Sequence, residues 1–559
     1  MSNIVFDQIK ITEKQAEKWV STFFNIEGKA NRLTGEVDFN FRIKTREGNS
    51  YTFKVSRPDT EESELAFQAA MLDHLDKKSV DFKVPRSISA HNGSALLQVI
   101  DDFGHPRWIR LQEWIEGRVV DKVNPQLPHL WESWGALAGK MSSALQDFDH
   151  AGAHRHFRWD PSNVLDCKSL IQFFRDEEEI AIANYFFDLF EKGALPILPN
   201  LRKSVNHNDC HELNVIASHD LLNPKILGAI DFGDAVYTHT INELAIAAAY
   251  AAMEKADPLA TIAHVIKGYH GAFPLENEEL KVLFPLIAAR LLISVSHSAY
   301  NRKKEPENEY LQFSDQKAWN LLKLLRQYHP SYVYYYFRMA AGWEPCPNYD
   351  LFQDWISNNA ADFHQVVPLE DRKLHHLDLR VGGKVLGNYA QFSTTDYMHK
   401  TIFRYLEDQQ ADIGIGGYLE TRPFYTTDAY EVIGNEGPQW RSVHIGLDFW
   451  DKAGVAVYAP LNGTIHSFQN NDADCDYGPT IILEHQVSEA LKFYTLYGHL
   501  SLDSLDGLYV GKPIEVGERI ASIGPAPENG NWPPHLHFKV ILDMIGKVGD
   551  FPGVAYPHE

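Results

Sequence analysis

The sequence is short of cysteine, of long apolar runs and of basic charge, and each shortage removes a class of function. Its 559 residues include 4 cysteines, Cys167, Cys210, Cys346 and Cys475, spread far apart with no CxxC pair. That spacing excludes a disulfide framework and a thiolate zinc site, and predicts free thiols. No segment reaches ~18 uninterrupted apolar residues, and the start, MSNIVFDQIKITEKQAEKW, is mixed and charged. Neither a signal peptide nor a membrane span is therefore expected, and the chain is expected to be cytoplasmic. The nearest approach to a span, VLFPLIAARLLISV at 282–295, contains Pro285 and Arg290 and reads as a buried helix. Against 52 Lys and Arg stand 75 Asp and Glu, a net charge of -23. Such a surface repels phosphate backbones and anionic lipid, so neither nucleic acid nor membrane is an expected partner. Internal repeats and low-complexity tracts are also missing, which excludes solenoids and long disordered tails.

What is present is a chain too long for one core, with ordinary globular composition, 44% hydrophobic and 12% aromatic. Residues 36–56 alternate apolar and polar positions around EGNS and predict a β-hairpin. DTEESELAFQAAMLDHL at 59–75 predicts a helix capped by Asp59 or Thr60, with Leu65, Met71, Leu72 and Leu75 on one face. ALLQVI and IRLQEWIEG read as further strands, and helical patterns dominate from about 125 to 345, interrupted at 206–236. Weak periodicity over 346–412 reads as a connector. Short strands separated by Gly, Asn and Asp turns then predict an all-β unit over 413–559. The expected fold class is multidomain α+β.

Phosphoryl transfer needs a carboxylate to orient the acceptor hydroxyl, oxygen ligands for Mg²⁺ and a cation on the nucleotide phosphates. HNDCHELN supplies Asp209 as the base and Asn214 as a Mg²⁺ ligand, with His207 and His211 holding the loop. Seventeen residues past Asn214, the apolar strand ILGAI delivers Asp231, a second metal-ligand candidate, to a turn. In this order the residues resemble the aminoglycoside phosphotransferase and choline kinase superfamily, and IDFGDAVYTHTINELAIAAAYA at 230–251 resembles its hydroxylysine kinase group. The resemblance covers about 15–345. It implies a bilobal kinase-like domain over 1–345 (small lobe to about 115, large lobe to 345), using ATP and Mg²⁺ on a small amino alcohol or hydroxy amino acid. It also implies that Lys54 in YTFKVSRP holds the phosphates, that Glu64 orients Lys54, and that LQEWIEG at 111–117 is the adenine-contacting linker. The chain departs from the family at Asn208, where Gly is usual, and LTGEVDFN offers only Gly35 in place of a glycine-rich loop. Asn tolerates a left-handed backbone, so the loop is expected to survive.

Downstream, His444 and Asp448 in HIGLD lie four apart, and His535 and His537 in HLH lie two apart. Even spacings place each pair on one face of a strand, so two strands can close one site. With YGHLS and VGERIASIG in order, this stretch resembles the lysostaphin-type zinc metallopeptidases. That resemblance implies Zn²⁺ on His444, Asp448 and His537, with His499 and His535 acting on the water or the tetrahedral oxyanion. His466, His485 and His558 read as ordinary satisfied histidines. The expected substrate is a small peptide or amide, whose released amine the kinase would phosphorylate. The competing expectation is a peptidoglycan-type zinc endopeptidase with an inactive, ligand-binding kinase-like half. The paired modules also resemble the front of larger proteins that continue into a class III aminotransferase or phospholyase, which implies association with such an enzyme.

Overall fold

A computed structural model describes residues 11–33, 38–78, 80–304 and 309–557. Gly35 and His558 lie outside the described residues. The chain divides into two compact units, Met1–Pro345 and Cys346–Glu559.

In the first unit, FNFRIKT and SYTFKV do form antiparallel strands, Phe39–Thr45 and Ser50–Val55. Alternation puts Phe41, Ile43, Phe53 and Val55 on one buried face, which the helix Glu13–Phe24 covers with Trp19, Val20 and Phe24. The sheet runs Gly28–Leu33, Phe39–Thr45, Ser50–Val55, Pro106–Glu113, Ser87–Ile88, with Leu97–Ile100 also on Pro106–Glu113. The helix after the hairpin spans Glu62–Lys77 and buries Leu65, Met71, Leu72 and Leu75 as expected, but its N-cap is Glu61, not Asp59 or Thr60, and makes no side-chain cap bond.

The larger lobe is helical, and its helices pack closely because small residues sit at the crossings. A Cβ on Gly135 would lie 1.9 Å from the Val265 carbonyl oxygen, and one on Gly268 would lie 1.9 Å from that of Glu132. The helices Pro128–Leu145 and Pro258–Ala272 therefore touch backbone to backbone. The helix Asn277–Lys304 is long and apolar enough to cross a membrane, but 89% of its apolar window is buried in this unit. Two small sheets, Lys203–Asn206 with Val236–His239 and Arg118–Val119 with Val215–Ala217 and Ile226–Ala229, present the HND and IDFGD loops.

The second unit is mostly strands. Its eight-stranded sheet runs Leu374–Leu377, Ile413–Gly416, Leu447–Trp450, His535–Ile541, Lys492–Gly498, Gly478–Gln486, Gly463–Asn471, Pro513–Ile514. One expectation needs correction. Residues 346–412 are not a connector: they add the edge strand Leu374–Leu377 and the helix Thr395–Asp408, whose Met398, Ile402 and Leu406 pack with Leu377, Leu379 and Trp450 in one core cluster. The helices Tyr349–Asn359 and Thr395–Asp408 precede residue 413, and from Ile413 on the described residues form strands joined by short turns, as the all-β expectation has it. Burying the apolar faces of these short elements against the sheet is what holds them in place.

Candidate active sites

In the first unit, two tight loops bring distant residues together. Lys54, on the strand Ser50–Val55, places Nζ 2.9 Å from Asp231 Oδ1. This cation, above all, pulls the Asp231 carboxyl down to about 2. Asp209 Oδ1 accepts from Arg290 Nη2 at 2.7 Å, and its Oδ2 accepts from Asn214 Nδ2 at 2.8 Å. His211 Nε2 lies 3.3 Å from the same Oδ2. Burial works to raise the Asp209 carboxyl, but His211 and Arg290 outweigh it and hold it below the ordinary value. Because Asn214 spends Nδ2 on Asp209, its Oδ1 remains an acceptor.

His207 ties the two loops to each other. Its Nε2 donates to the Ile230 carbonyl at 3.0 Å, which leaves Nδ1 to accept the Asp209 N–H at 3.2 Å. Asn208 has φ 64° and Asp231 φ 60°, so both loops turn through the left-handed region on residue types that tolerate it. Asn208 is held there by buried Glu243, whose Oε2 accepts its N–H at 3.0 Å. Arg155 Nη2 donates to the carbonyls of Gly233 and Ala235 at 2.9 and 3.1 Å and so braces the Asp231 turn.

The structure does not bring Glu64 to Lys54. Glu64 faces Arg155 at 3.6 Å and is half exposed. The residue one helical turn on, Gln68, lies nearer the site, with Oε1 3.4 Å from Arg110 Nη2, and Arg110 is the cross-strand neighbour of Lys54. Gln68 shares a helix face with Glu64 but sits one turn further along the axis, and that position brings Gln68, not Glu64, to this corner. Residues 111–113 end the strand Pro106–Glu113, and 114–117 run on to the strand Arg118–Val119. Arg290 and Glu243 were not singled out as site residues from sequence. Their signal was a lone charge inside an apolar helix, in LIAARLLI and INELAIAAA.

In the second unit, sheet register assembles the site. Asp448 pairs across from His537, and His537 from Gly498, so three adjacent strands deliver Asp448, His537 and His499 together. His444 Nε2, Asp448 Oδ1 and His537 Nδ1 lie 3.0 to 3.1 Å from one another. Tetrahedral zinc with bonds of ~2.0–2.1 Å has donors about 3.3 Å apart, so this triangle of two imidazoles and a carboxylate suits such an ion. A Cβ on Gly446 would lie 2.2 Å from the His537 ring, so the glycine of HIGLD makes room for the ligand ring.

Surrounding groups fix each donor. His444 Nδ1 donates to the Gly417 carbonyl at 2.9 Å, which leaves Nε2 for a cation. Arg422 Nη1 occupies Asp448 Oδ2 at 2.7 Å and turns Oδ1 toward the histidines, while its Nε binds Glu420 at 2.7 Å. Burial works to raise the Asp448 carboxyl, but His444 and Arg422 hold it well below its ordinary value. His499 and His535 each donate Nδ1–H to a carbonyl, of Asn529 at 2.9 Å and of Pro533 at 2.8 Å, so both present Nε2. Burial keeps both neutral, pulling His535 to about 4 and His499 well below its usual range. Their rings lie 4.2 Å apart, and His499 holds φ 61°, a third left-handed residue at a candidate site. His485, by contrast, is satisfied by the Asn462 carbonyl at 2.9 Å and the Thr495 hydroxyl at 2.7 Å, as expected of a structural histidine. Arg422 was missed because nothing in ETRPFY marks it; only its burial does.

Known proteins divide along the same line. Residues 29–276 match the phosphotransferase enzyme family, and residues 442–547 match peptidase family M23. The chain is similar to the hydroxylysine kinase of Mus musculus, 26% identical over 338 residues that make up 56% of this chain and 89% of that protein. It is similar also to that of Xenopus laevis, 25% identical over 56% of this chain and 90% of that protein. Among solved structures, a microcompartment-associated aminopropanol kinase aligns over 58% of this chain and 97% of its own, at 16% identity and a TM-score of 0.44. The chain thus joins a phosphotransferase-family domain, homologous to hydroxylysine kinases, to a C-terminal domain of peptidase family M23.

Proposed function

We propose that the first unit transfers a phosphoryl group from ATP to the hydroxyl of a small amino alcohol or hydroxy amino acid, hydroxylysine being the first to try. The observation that carries this reading is Asp209: both carboxylate oxygens are oriented, one by Arg290 and one by Asn214, on a loop tied through His207 to the Asp231 turn. A carboxylate fixed in this way can hold an acceptor hydroxyl and take its proton as the phosphoryl group arrives. Lys54 supplies a cation for the nucleotide phosphates, and its present partner, Asp231, belongs to the donor set proposed for metal. One amide oxygen, from Asn214, and one carboxylate, from Asp231, suit Mg²⁺, which is otherwise ligated by water and phosphate. When bound, Mg²⁺ neutralises charge developing on the phosphates.

For the second unit we propose hydrolysis of a small amide, with zinc on His444, Asp448 and His537. When bound, zinc lowers the pKa of water and polarises the carbonyl. The chain's own part is to carry protons: neutral His499 and His535 present Nε2 atoms that can accept a proton from water and return it to the departing nitrogen. The released amine would be of the class the first unit phosphorylates, and its phosphate ester is of the class a pyridoxal-phosphate phospholyase consumes.

The test is ADP release with hydroxylysine, ethanolamine, choline and an aminoglycoside, repeated with Asp209→Ala. Turnover with one of the first two, reduced on the order of 10²-fold or more by the substitution, is expected. No turnover with any of the four would leave the first unit as a ligand-binding module and defeat the kinase reading.

A further inference from the structure

The cleft above the His444, Asp448 and His537 cluster is small. Its volume is about 100 Å³, less than the ~150 Å³ that admits benzene and well under the ~300 Å³ at which sites for larger ligands begin. One side is closed by the C-terminal strand Val554–Ala555, which pairs with Val443–His444. There the Tyr477 hydroxyl leaves only 2.5 Å for any Cβ at Gly553. An extended peptide threading past the cluster would need both sides open. The cleft suits one small residue instead.

Its other wall is a cluster of rings packed against one another. Phe424 and Tyr425 lie 4.8 Å apart between centroids, Tyr425 and Tyr430 4.9 Å, and Phe424 and Trp532 5.7 Å. The ring cluster adjoins the proton-carrying pair, since the Trp532 ring is 6.3 Å from His499 and 6.4 Å from His535. Asp476 lines the same cleft. Burial, then the nearby carboxylates of Asp550 and Asp472, pushes its carboxyl up, so three acidic groups gather on this side. Arg422 is the one cation among the lining residues, and Glu420 and Asp448 both pair with it at 2.7 Å. Ring faces beside an acidic group, with the local cation neutralised, make a receptor for an organic ammonium.

We propose that this cleft holds the amino-terminal residue of an unblocked, dipeptide-sized amide, its protonated primary amine against the Tyr425, Tyr430 and Trp532 rings beside Asp476, one residue's length from the scissile carbonyl, with the rest of the molecule in the open mouth. The inference rests on the metallohydrolase reading above and narrows it from small amides to those that carry a free amine. In the reaction, water adds to the carbonyl carbon, the C–N bond breaks, and the proton lost by water passes to the departing nitrogen. The products are an amino acid and an amine.

The experiment is calorimetric titration of the zinc-loaded full chain with glycylglycine and with N-acetylglycylglycine, with zinc per chain counted in each sample. Glycylglycine is expected to bind about tenfold more tightly or better than the acetylated peptide, and Asp476→Asn is expected to erase that preference at unchanged zinc content. Equal binding of the two peptides, binding of neither, or a preference that survives Asp476→Asn would overturn the inference while leaving zinc at its site. A chain that takes up no zinc would defeat the metallohydrolase reading itself, and this inference with it.

Discussion

Arg290→Met is the most informative single change in the first unit. Arg290 is fully enclosed, its side chain 3% exposed, and it grips Asp209 at 2.7 Å and the Trp159 carbonyl at 3.0 Å. Methionine fills much of the volume but removes the charge, so Asp209, itself 17% exposed, loses the donor on Oδ1. Breaking a buried ion pair from one side costs about 3–5 kcal/mol, because the surviving charge is left without compensation. With that cation gone, burial acts on Asp209 less opposed, so its carboxyl rises and the acid limb of kcat/KM moves to higher pH. Loss of the held base is expected to lower kcat/KM by about 10²-fold. Stability is best read by hydrogen exchange in the helix Asn277–Lys304, which reports on this unit alone. Adding Asp209→Asn removes the stranded charge, so the double variant is expected to regain about 2 kcal/mol over Arg290→Met. A single variant that loses less than about 1 kcal/mol, with no recovery in the double, would show that the pair does not hold this loop.

Three further outcomes follow from the same geometry. Glu243→Gln weakens the acceptor that fixes Asn208 at φ 64°, so kcat should fall by about tenfold or more with zinc content unchanged, as steady-state kinetics with metal analysis will show. Burial and then Asp209 push the Asp234 carboxyl up to about 6. The folded state therefore favours protonated Asp234, which disfavours folding above about pH 6 and relaxes as pH falls toward the ordinary ~3.9. Asp234→Asn should accordingly raise Tm at pH 8 and lose that gain by pH 4; a gain independent of pH in thermal scans would contradict it. Arg422→Met frees Asp448 Oδ2, and competition with a chelator should reveal zinc affinity lowered by about 10- to 100-fold with ADP release untouched.

Much of both sites was legible because their chemistry sits in contiguous motifs. HNDCHELN and IDFGDAV each fold as one tight loop, and HIGLD and HLH each lie along one strand, so spacing alone reports which side chains share a face. The braces were hidden because they come from afar in sequence: Arg290 lies 81 positions from Asp209, and Arg422 lies 26 from Asp448. Glu64 failed for a different reason. A helix beginning with three nearby glutamates does not disclose which of its turns meets the site, and the fold sets the turn of Gln68, on the same face as Glu64, against Arg110. The segment 346–412 was misread because its strand and helices are short, and what orders them is contact with Trp450 and the sheet, not their own periodicity.

The strand His535–Ile541 is clamped on both sides, by Leu447–Trp450 and by Lys492–Gly498. Sliding it by a single position would swing His535 and His537 to the opposite face and offer Leu536 and Phe538 in their place. A mispaired sheet of this kind could still be compact, yet it would be blind to metal. At the proposed zinc site, cation capture would therefore act as a proofreading signal for folding, since only chains whose strands have found the correct partners would gain the added stability of an occupied site.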